Sequence, residues 1–151
     1  MENRSTQIRP LVRGDEPAWR ELWRGYLAYY ETELSPEMYR LAFDRMLSGN
    51  DGEFRGLIAE RAGRSVGIAH YLFHRHGWRA EPVCYLQDLF VAPEARGTGA
   101  GRALIEAVYS AADAASAPRV YWLTQHFNEA GRRLYDRVGN LSPFIKYDRP
   151  A

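Results

Sequence analysis

Apolar positions change their spacing several times along this chain, and each change marks an element. Gln7 to Val12 is a short strand-like run, and Asp15 stands as an N-cap before a helical pattern reaching about Tyr30. Ser35 and Pro36 place a cap and a first-turn proline ahead of a second helix ending near Ser48. Asn50-Asp51-Gly52 is a turn, after which Phe54 to Arg61 and Ser65 to Gly77 read as strands of a hairpin joined by Ala62-Gly63-Arg64. Pro82 to Val91 is apolar on both faces, as expected of a covered central strand. The spacing of Leu104, Ile105, Val108, Tyr109 and Ala112 predicts a helix from about Ala100. Val120 to Gln125 predicts a strand, Asn128 opens a helix carrying Ala130, Leu134 and Val138, and Leu141 to Asp148 predicts a last strand. The order β-α-α-β-β-β-α-β-α-β describes an α/β fold of the α+β type, a mixed central sheet with helices on both faces.

Composition narrows this without redirecting it. At 151 residues, 46% hydrophobic and 26% charged, the chain suits one globular domain spanning residues 1–151. A net charge of +1 speaks against a dedicated nucleic-acid binder, and the arginines of the helical stretches read as solvated faces. No apolar run is long enough to span a membrane. The start, Met1-Glu2-Asn3-Arg4, lacks the apolar core of a secretory signal, so a cytoplasmic location is expected. Cys84 is the single cysteine, which excludes an intrachain disulfide and a cysteine metal cluster; in an apolar strand it reads as a small core residue. His70, His74 and His76 lack acidic or cysteine ligands at suitable spacing, so no metal site is expected and a solvated hairpin accounts for all three.

The chemistry begins at Arg96-Gly97-Thr98-Gly99-Ala100-Gly101-Arg102, between the covered strand and the helix. Glycines at alternate positions leave the backbone bare where a helix opens, and first-turn N–H groups with the positive dipole end suit a phosphate. Arg96 and Arg102 can add charge-assisted bonds. A dinucleotide fingerprint would need glycine where Arg102 stands, and a P-loop would need Gly-Lys-Ser/Thr at the end; neither is present.

With its flanks, Leu89-Phe90-Val91-Ala92-Pro93 before Arg96 to Gly101, the loop closely resembles motif A of the GNAT N-acetyltransferases. Tyr121-Trp122-Leu123-Thr124, Asn128-Glu129-Ala130 and Leu134-Tyr135-Asp136 resemble that family's fifth strand and following helix. Tyr85 to Val91 and the Trp-Leu-Thr stretch look most like the polyamine and histone/polyamine acetyltransferase branch. The resemblance implies acetyl-CoA as co-substrate and splayed strands opening a cleft for it. It places backbone groups of Leu89, Phe90 and Val91 on the acetyl and pantetheine end. Gly97, Thr98, Gly99, Ala100, Gly101 and Arg102 would lie on the pyrophosphate, with Asn128 and Arg133 facing the cofactor's other side. Asn128 equally suits a plain helix N-cap. Tyr135 matches the family's tyrosine acid, the proton donor to the departing thiolate.

The base is less direct. Where the polyamine enzymes carry Glu-Asp, this chain has Gln87-Asp88, and glutamine can orient an amine or a water but cannot take its proton. Asp88 is one substitute, although regular strand alternation points it away from Gln87 unless a bulge intervenes; a water chain to bulk solvent is the other route. Tyr26, Tyr30 and Glu31, with Tyr29 and Glu33 nearby, join aromatic faces to carboxylates and suit a cationic amine. The function expected is acetyl transfer to a small primary amine, polyamine-like or amino-acid-like. The rivals are acetylation of a protein lysine or N-terminus and a non-catalytic acyl-CoA-binding domain. Phe144 and Tyr147 of the last predicted strand could join a homodimer.

Overall fold

The computed structural model describes residues 5–151, so the expectation drawn from Met1 to Arg4 lies outside the described residues. Five strands form one sheet in the order β1 (Thr6–Pro10), β2 (Arg55–Arg61), β3 (Arg64–His74), β4 (Val83–Val91), β5 (Val120–Tyr121). β1 to β4 are antiparallel to their neighbours, and β5 joins β4 in parallel at Cys84–Val120 and Tyr85–Tyr121. The β2–β3 turn places both Ala62 (φ 51°) and Gly63 (φ 75°) in the left-handed region, the requirement of a two-residue hairpin.

Helices cover both faces. α1 (Glu16–Tyr29) and α2 (Pro36–Ser48) bury Trp19, Leu22, Phe43 and Met46 against Ile58 and Ile68. α2 is capped as its sequence dictates: the Ser35 side chain accepts from Met38 N at 3.2 Å, and Gly49 (φ 69°) ends the helix. α3 (Ala100–Ala114) packs Leu104, Ile105 and Val108 on the other face against Ala69, Cys84 and Leu86. Each of these α3 side chains contributes about 1.5–3 kcal/mol by leaving water. α4 (Glu129–Val138) lies beside α3, with Leu134 and Tyr135 against the same cluster.

Three expectations are corrected by these contacts. Asp15 precedes α1, but its carboxylate does not cap that helix. It turns back to Val12 N (2.8 Å) and to Arg9 (2.7 and 2.8 Å), tying β1 to the start of α1, and the Arg9 guanidinium holds it below the usual carboxylate range. The strand predicted over Val120 to Gln125 is only two residues long. The strand predicted over Leu141 to Asp148 is absent, and Leu141, Phe144, Ile145 and Tyr147 are 77–89% exposed. A strand needs an edge to pair with; β5 offers two residues, and Pro143 brings no N–H.

Candidate active site

β4 has an irregularity that decides its chemistry. His70 faces Asp88 across the β3–β4 ladder while Tyr71 faces Leu86, so Gln87 is an extra residue in a bulge. The bulge resets the alternation. Cys84 and Leu86 point to the α3 face before it, and Leu89 and Val91 point to the same face after it. Asp88 and Phe90 therefore turn toward α1, and Gln87 is left exposed.

The bulge also opens the sheet. β5 pairs only with Cys84 and Tyr85, so from Leu86 to Val91 the side of β4 away from β3 has no strand partner. The Phe90 carbonyl points to β3, lying 3.0 Å from where a Cβ on Gly67 would stand, and Ala92 N donates to Val66 O at 2.8 Å. Strand alternation then directs the backbone groups of Leu89 and Val91 into the gap. Arg96 reaches that edge, donating from Nε to Val91 O at 3.3 Å and lying 5.9 Å from the Phe90 ring.

The glycine loop continues the gap. Gly97 (φ 78°) and Gly99 (φ 89°) occupy the left-handed region, where a side chain is strained. A Cβ at either meets no heavy atom within 4 Å, so the loop opens outward. Gly99 starts α3 without a side-chain cap, which leaves the N–H groups of Ala100, Gly101 and Arg102 for an outside acceptor. Thr98 Oγ1 donates to Ala95 O and braces the turn, while Arg102 Nε pairs with Glu106 at 2.8 Å. Gly101 keeps a different space: a Cβ there would stand 3.1 Å from Leu134 Cδ2, so its bareness lets α4 approach. An open turn lined by N–H groups fits a pyrophosphate, and the residues that would hold CoA's are Gly97 to Arg102.

α4 forms the far wall. The Asn128 side chain accepts from Gly131 N at 3.1 Å and donates to Thr124 Oγ1 at 3.0 Å, so it caps the helix. Arg133 is exposed on the same helix. Tyr135 is half-buried and stands edge-on to Trp122 at 5.6 Å. Burial, then Tyr30 and Tyr29 at the C-terminal end of α1, push its hydroxyl pKa up.

On the α1 face an aromatic stripe leads toward Asp88. Trp23 stacks on Tyr26 at 4.6 Å, and Tyr26 meets Tyr30 at 5.1 Å and Phe90 at 6.4 Å. The Tyr26 hydroxyl sits against the Asp88 carboxylate; burial, Asp88 and Tyr30 together raise its pKa well beyond the ordinary tyrosine range. Glu31 (φ 54°) lies exposed just past α1, away from this contact.

The structure thus joins Asp88, Tyr26 and Tyr30, and it adds two residues that sequence reasoning missed. His70 is not part of a solvated hairpin: it is 2% exposed. Its Nδ1 lies 3.0 Å from Asp88 Oδ2, and its Nε2 accepts from Trp19 Nε1 at 2.9 Å. A histidine inside the apolar run Val66 to Tyr71, opposite an aspartate inside another, was the available signal. His74 instead meets the Tyr121 hydroxyl at 2.8 Å on the exposed end of β3. Among the described residues no group of three or more histidine, cysteine, aspartate or glutamate residues could hold a metal ion, and no helix is long and apolar enough to cross a membrane.

Known proteins share this fold. AAC(6')-Iy, an aminoglycoside N-acetyltransferase solved in complex with CoA, matches with a TM-score of 0.79 at 19% identity, over 97% of this chain and 96% of that one. In sequence the chain is 36% identical over 150 residues to the D-amino-acid N-acetyltransferase HPA3 of Saccharomyces cerevisiae, covering 99% of this chain and 93% of the relative. It is 34% identical over 132 residues to the uncharacterized N-acetyltransferase YhfO of Bacillus subtilis, 87% of each chain. The model of the acetyltransferase (GNAT) family matches residues 18–139. With the splayed β4 edge and the open glycine turn at the places the family motif predicts, the chain belongs to the GNAT family of acetyl-CoA-dependent N-acetyltransferases.

Proposed function

We propose that this protein acetylates the primary amine of a small molecule, an amino acid foremost, by direct attack of the amine on acetyl-CoA. The observation that carries the reading is the Asp88 carboxylate, turned by the Gln87 bulge toward α1 beside the unpaired edge of β4. An ammonium held there gives a proton to Asp88, and its freed lone pair bonds to the acetyl carbon as the carbon–sulfur bond breaks. Negative charge developing on the acetyl oxygen meets an N–H of the Leu89–Val91 edge. The Tyr135 hydroxyl donates the proton that the departing thiolate takes; the amine's second proton leaves the new amide nitrogen for solvent, and Asp88 and the Tyr135 phenolate return to their starting states by exchange with that solvent. Burial favours this role, because it keeps the phenol protonated through neutral pH. Gln87 is exposed at the bulge, which supports a role in orienting water or substrate.

The aromatic stripe of Tyr26 and Tyr30 supports a compact cationic acceptor, and the yeast relative's name supports an amino acid. Polyamines are the second candidates, since Glu31 and Glu33 stand exposed nearby. The test is thiol release from acetyl-CoA with a panel of D- and L-amino acids, polyamines and lysine peptides. Amino acids are expected to turn over fastest. Acetyl-CoA binding without thiol release for any amine would leave only a binding domain. We further propose that the exposed segment carrying Phe144, Ile145 and Tyr147 joins a homodimer, and sedimentation of the variant with all three changed to serine reads it.

A further inference from the structure

Trp19, His70 and Asp88 form a hydrogen-bonded line running from α1 through β3 to β4, and its direction is fixed by chemistry. An indole N–H can only donate. Since Trp19 Nε1 lies 2.9 Å from His70 Nε2, that ring nitrogen presents its lone pair. A neutral imidazole carries one N–H, so the proton is on Nδ1, aimed at Asp88 Oδ2 3.0 Å away. The opposite tautomer would set N–H against N–H at Trp19 and lone pair against lone pair at Asp88, with Trp19 at 0% and His70 at 2% exposure. Neighbouring rings hold the imidazole in place: Trp23 stands edge-on at 4.7 Å and Phe54 lies at 6.2 Å.

We propose that Trp19 and His70 are positioning residues that aim the Asp88 carboxylate at the substrate amine. This rests on the reading of Asp88 as the group that receives the amine's proton. A carboxylate offers about four lone-pair sites. His70 takes one and the Tyr26 hydroxyl lies near the carboxylate, so sites remain for an ammonium on a side chain that is 15% exposed, in the stretch of β4 without a β5 partner. A bulge is a pliable place for a base, and the buried relay supplies the rigidity that the strand gives up there. The hydrogen bonds of the line run among Trp19, His70 and Asp88, so its effect is expected on the amine side.

Two readouts test this. The first needs no turnover: long-range proton–nitrogen spectra of the ¹⁵N-labelled protein report which nitrogen of His70 carries the proton. Nδ1–H is expected in the wild type, with the preference weakened in Trp19→Phe; an Nε2–H ring overturns the relay. The second is kinetic rescue. His70→Asn keeps an N–H where Nδ1 stood, whereas His70→Leu keeps none. His70→Leu is expected to lower kcat by about 30-fold or more with the KM for acetyl-CoA unchanged, and His70→Asn to recover most of that loss. Equal losses in the two variants overturn the proposal. Should His70→Leu fail to fold, the spectra and a comparison of His70→Asn with Trp19→Phe still decide it. Failure of the underlying reading looks different: Asp88→Asn with wild-type kcat removes Asp88 from the chemistry even where the His70 tautomer is as expected.

Discussion

The two walls of the cleft are built from different materials. The wall toward α3 and α4 is backbone: an unpaired strand edge, two glycines in the left-handed region and the opening turn of a helix. The wall toward α1 is side chains: Asp88 held by His70, His70 held by Trp19, and Tyr26 laid against them. The first suits a ligand shared by a whole family, because N–H groups are present whatever the side chains are. The second suits a ligand that varies from one enzyme to the next. Damage should divide accordingly, with the KM for acetyl-CoA reporting one wall, and kcat and the amine's KM reporting the other.

The largest effect is expected at Asp88. Asp88→Asn keeps the size and one acceptor of the carboxylate but cannot take a proton, so kcat should fall by about 10²- to 10³-fold. The KM for acetyl-CoA should hold, and steady-state kinetics at saturating amine measure both. A shift in acetyl-CoA binding as large as the shift in kcat would break the division between the walls.

Tyr135 belongs to α4, yet the tyrosines at the end of α1 help to raise its pKa. Tyr135→Phe is expected to cost about 10- to 100-fold in kcat. In the proposed role of acid Tyr135 must be protonated to act, and burial raises its pKa, so the activity it would supply is present at neutral pH and is lost as pH rises through that raised value. The alkaline limb that depends on Tyr135 should therefore lie above about 10, the ordinary tyrosine value. A pH profile of kcat in both proteins checks this; a tyrosine-dependent limb near neutrality would contradict it.

These walls were not equally legible in the sequence. Gly97 and Gly99 answer a local demand, a positive φ in a turn before a helix, and local demands are written in consecutive residues. The Asp88 wall depends on partners 18 and 51 residues away from each other along the relay, and on one extra residue in a strand. Without that bulge, alternation sends Asp88 to the α3 face, and the residue count alone does not show that His70 and Asp88 stand opposite each other. The missing last strand has a related cause. Leu141 to Asp148 carries strand-like composition, but strand formation belongs to a pair, and the two residues of β5 supply no edge. The cap at Asn128 is readable because it depends only on residues one turn away along the chain.

A smaller effect is expected on the backbone wall. Gly99→Ala adds no clash, since no heavy atom lies within 4 Å of its Cβ position, but it forces an L-residue to φ 89°. That strain is about 1–2 kcal/mol. If the loop relaxes out of the open turn to relieve it, the KM for acetyl-CoA rises by about tenfold while kcat and the amine's KM stay close to wild type. Gly101→Ala is the sharper companion, because its Cβ would press Leu134 at 3.1 Å rather than strain the turn. A weaker effect there separates loop conformation from helix packing.

The smallest effect falls where the walls meet, at Gly25. Alanine there favours helix α1 by about 1 kcal/mol. Its Cβ, however, would stand 2.9 Å from Phe90 Cζ, the tip of a ring that can tilt. The two terms offset, so thermal stability should barely move while the packing of α1 on β4 does. Phe90 touches both sides, Tyr26 at 6.4 Å and the Arg96 guanidinium at 5.9 Å. If the walls are independent, the ring's tilt reaches Tyr26 and Asp88 first, and the amine's KM rises about two- to fivefold with that for acetyl-CoA unchanged. If both constants move together in Gly25→Ala, Phe90 couples the glycine loop to the amine side. The cleft would then be one mechanical unit, and separate repertoires for donor and acceptor would have to come from substrate shape alone.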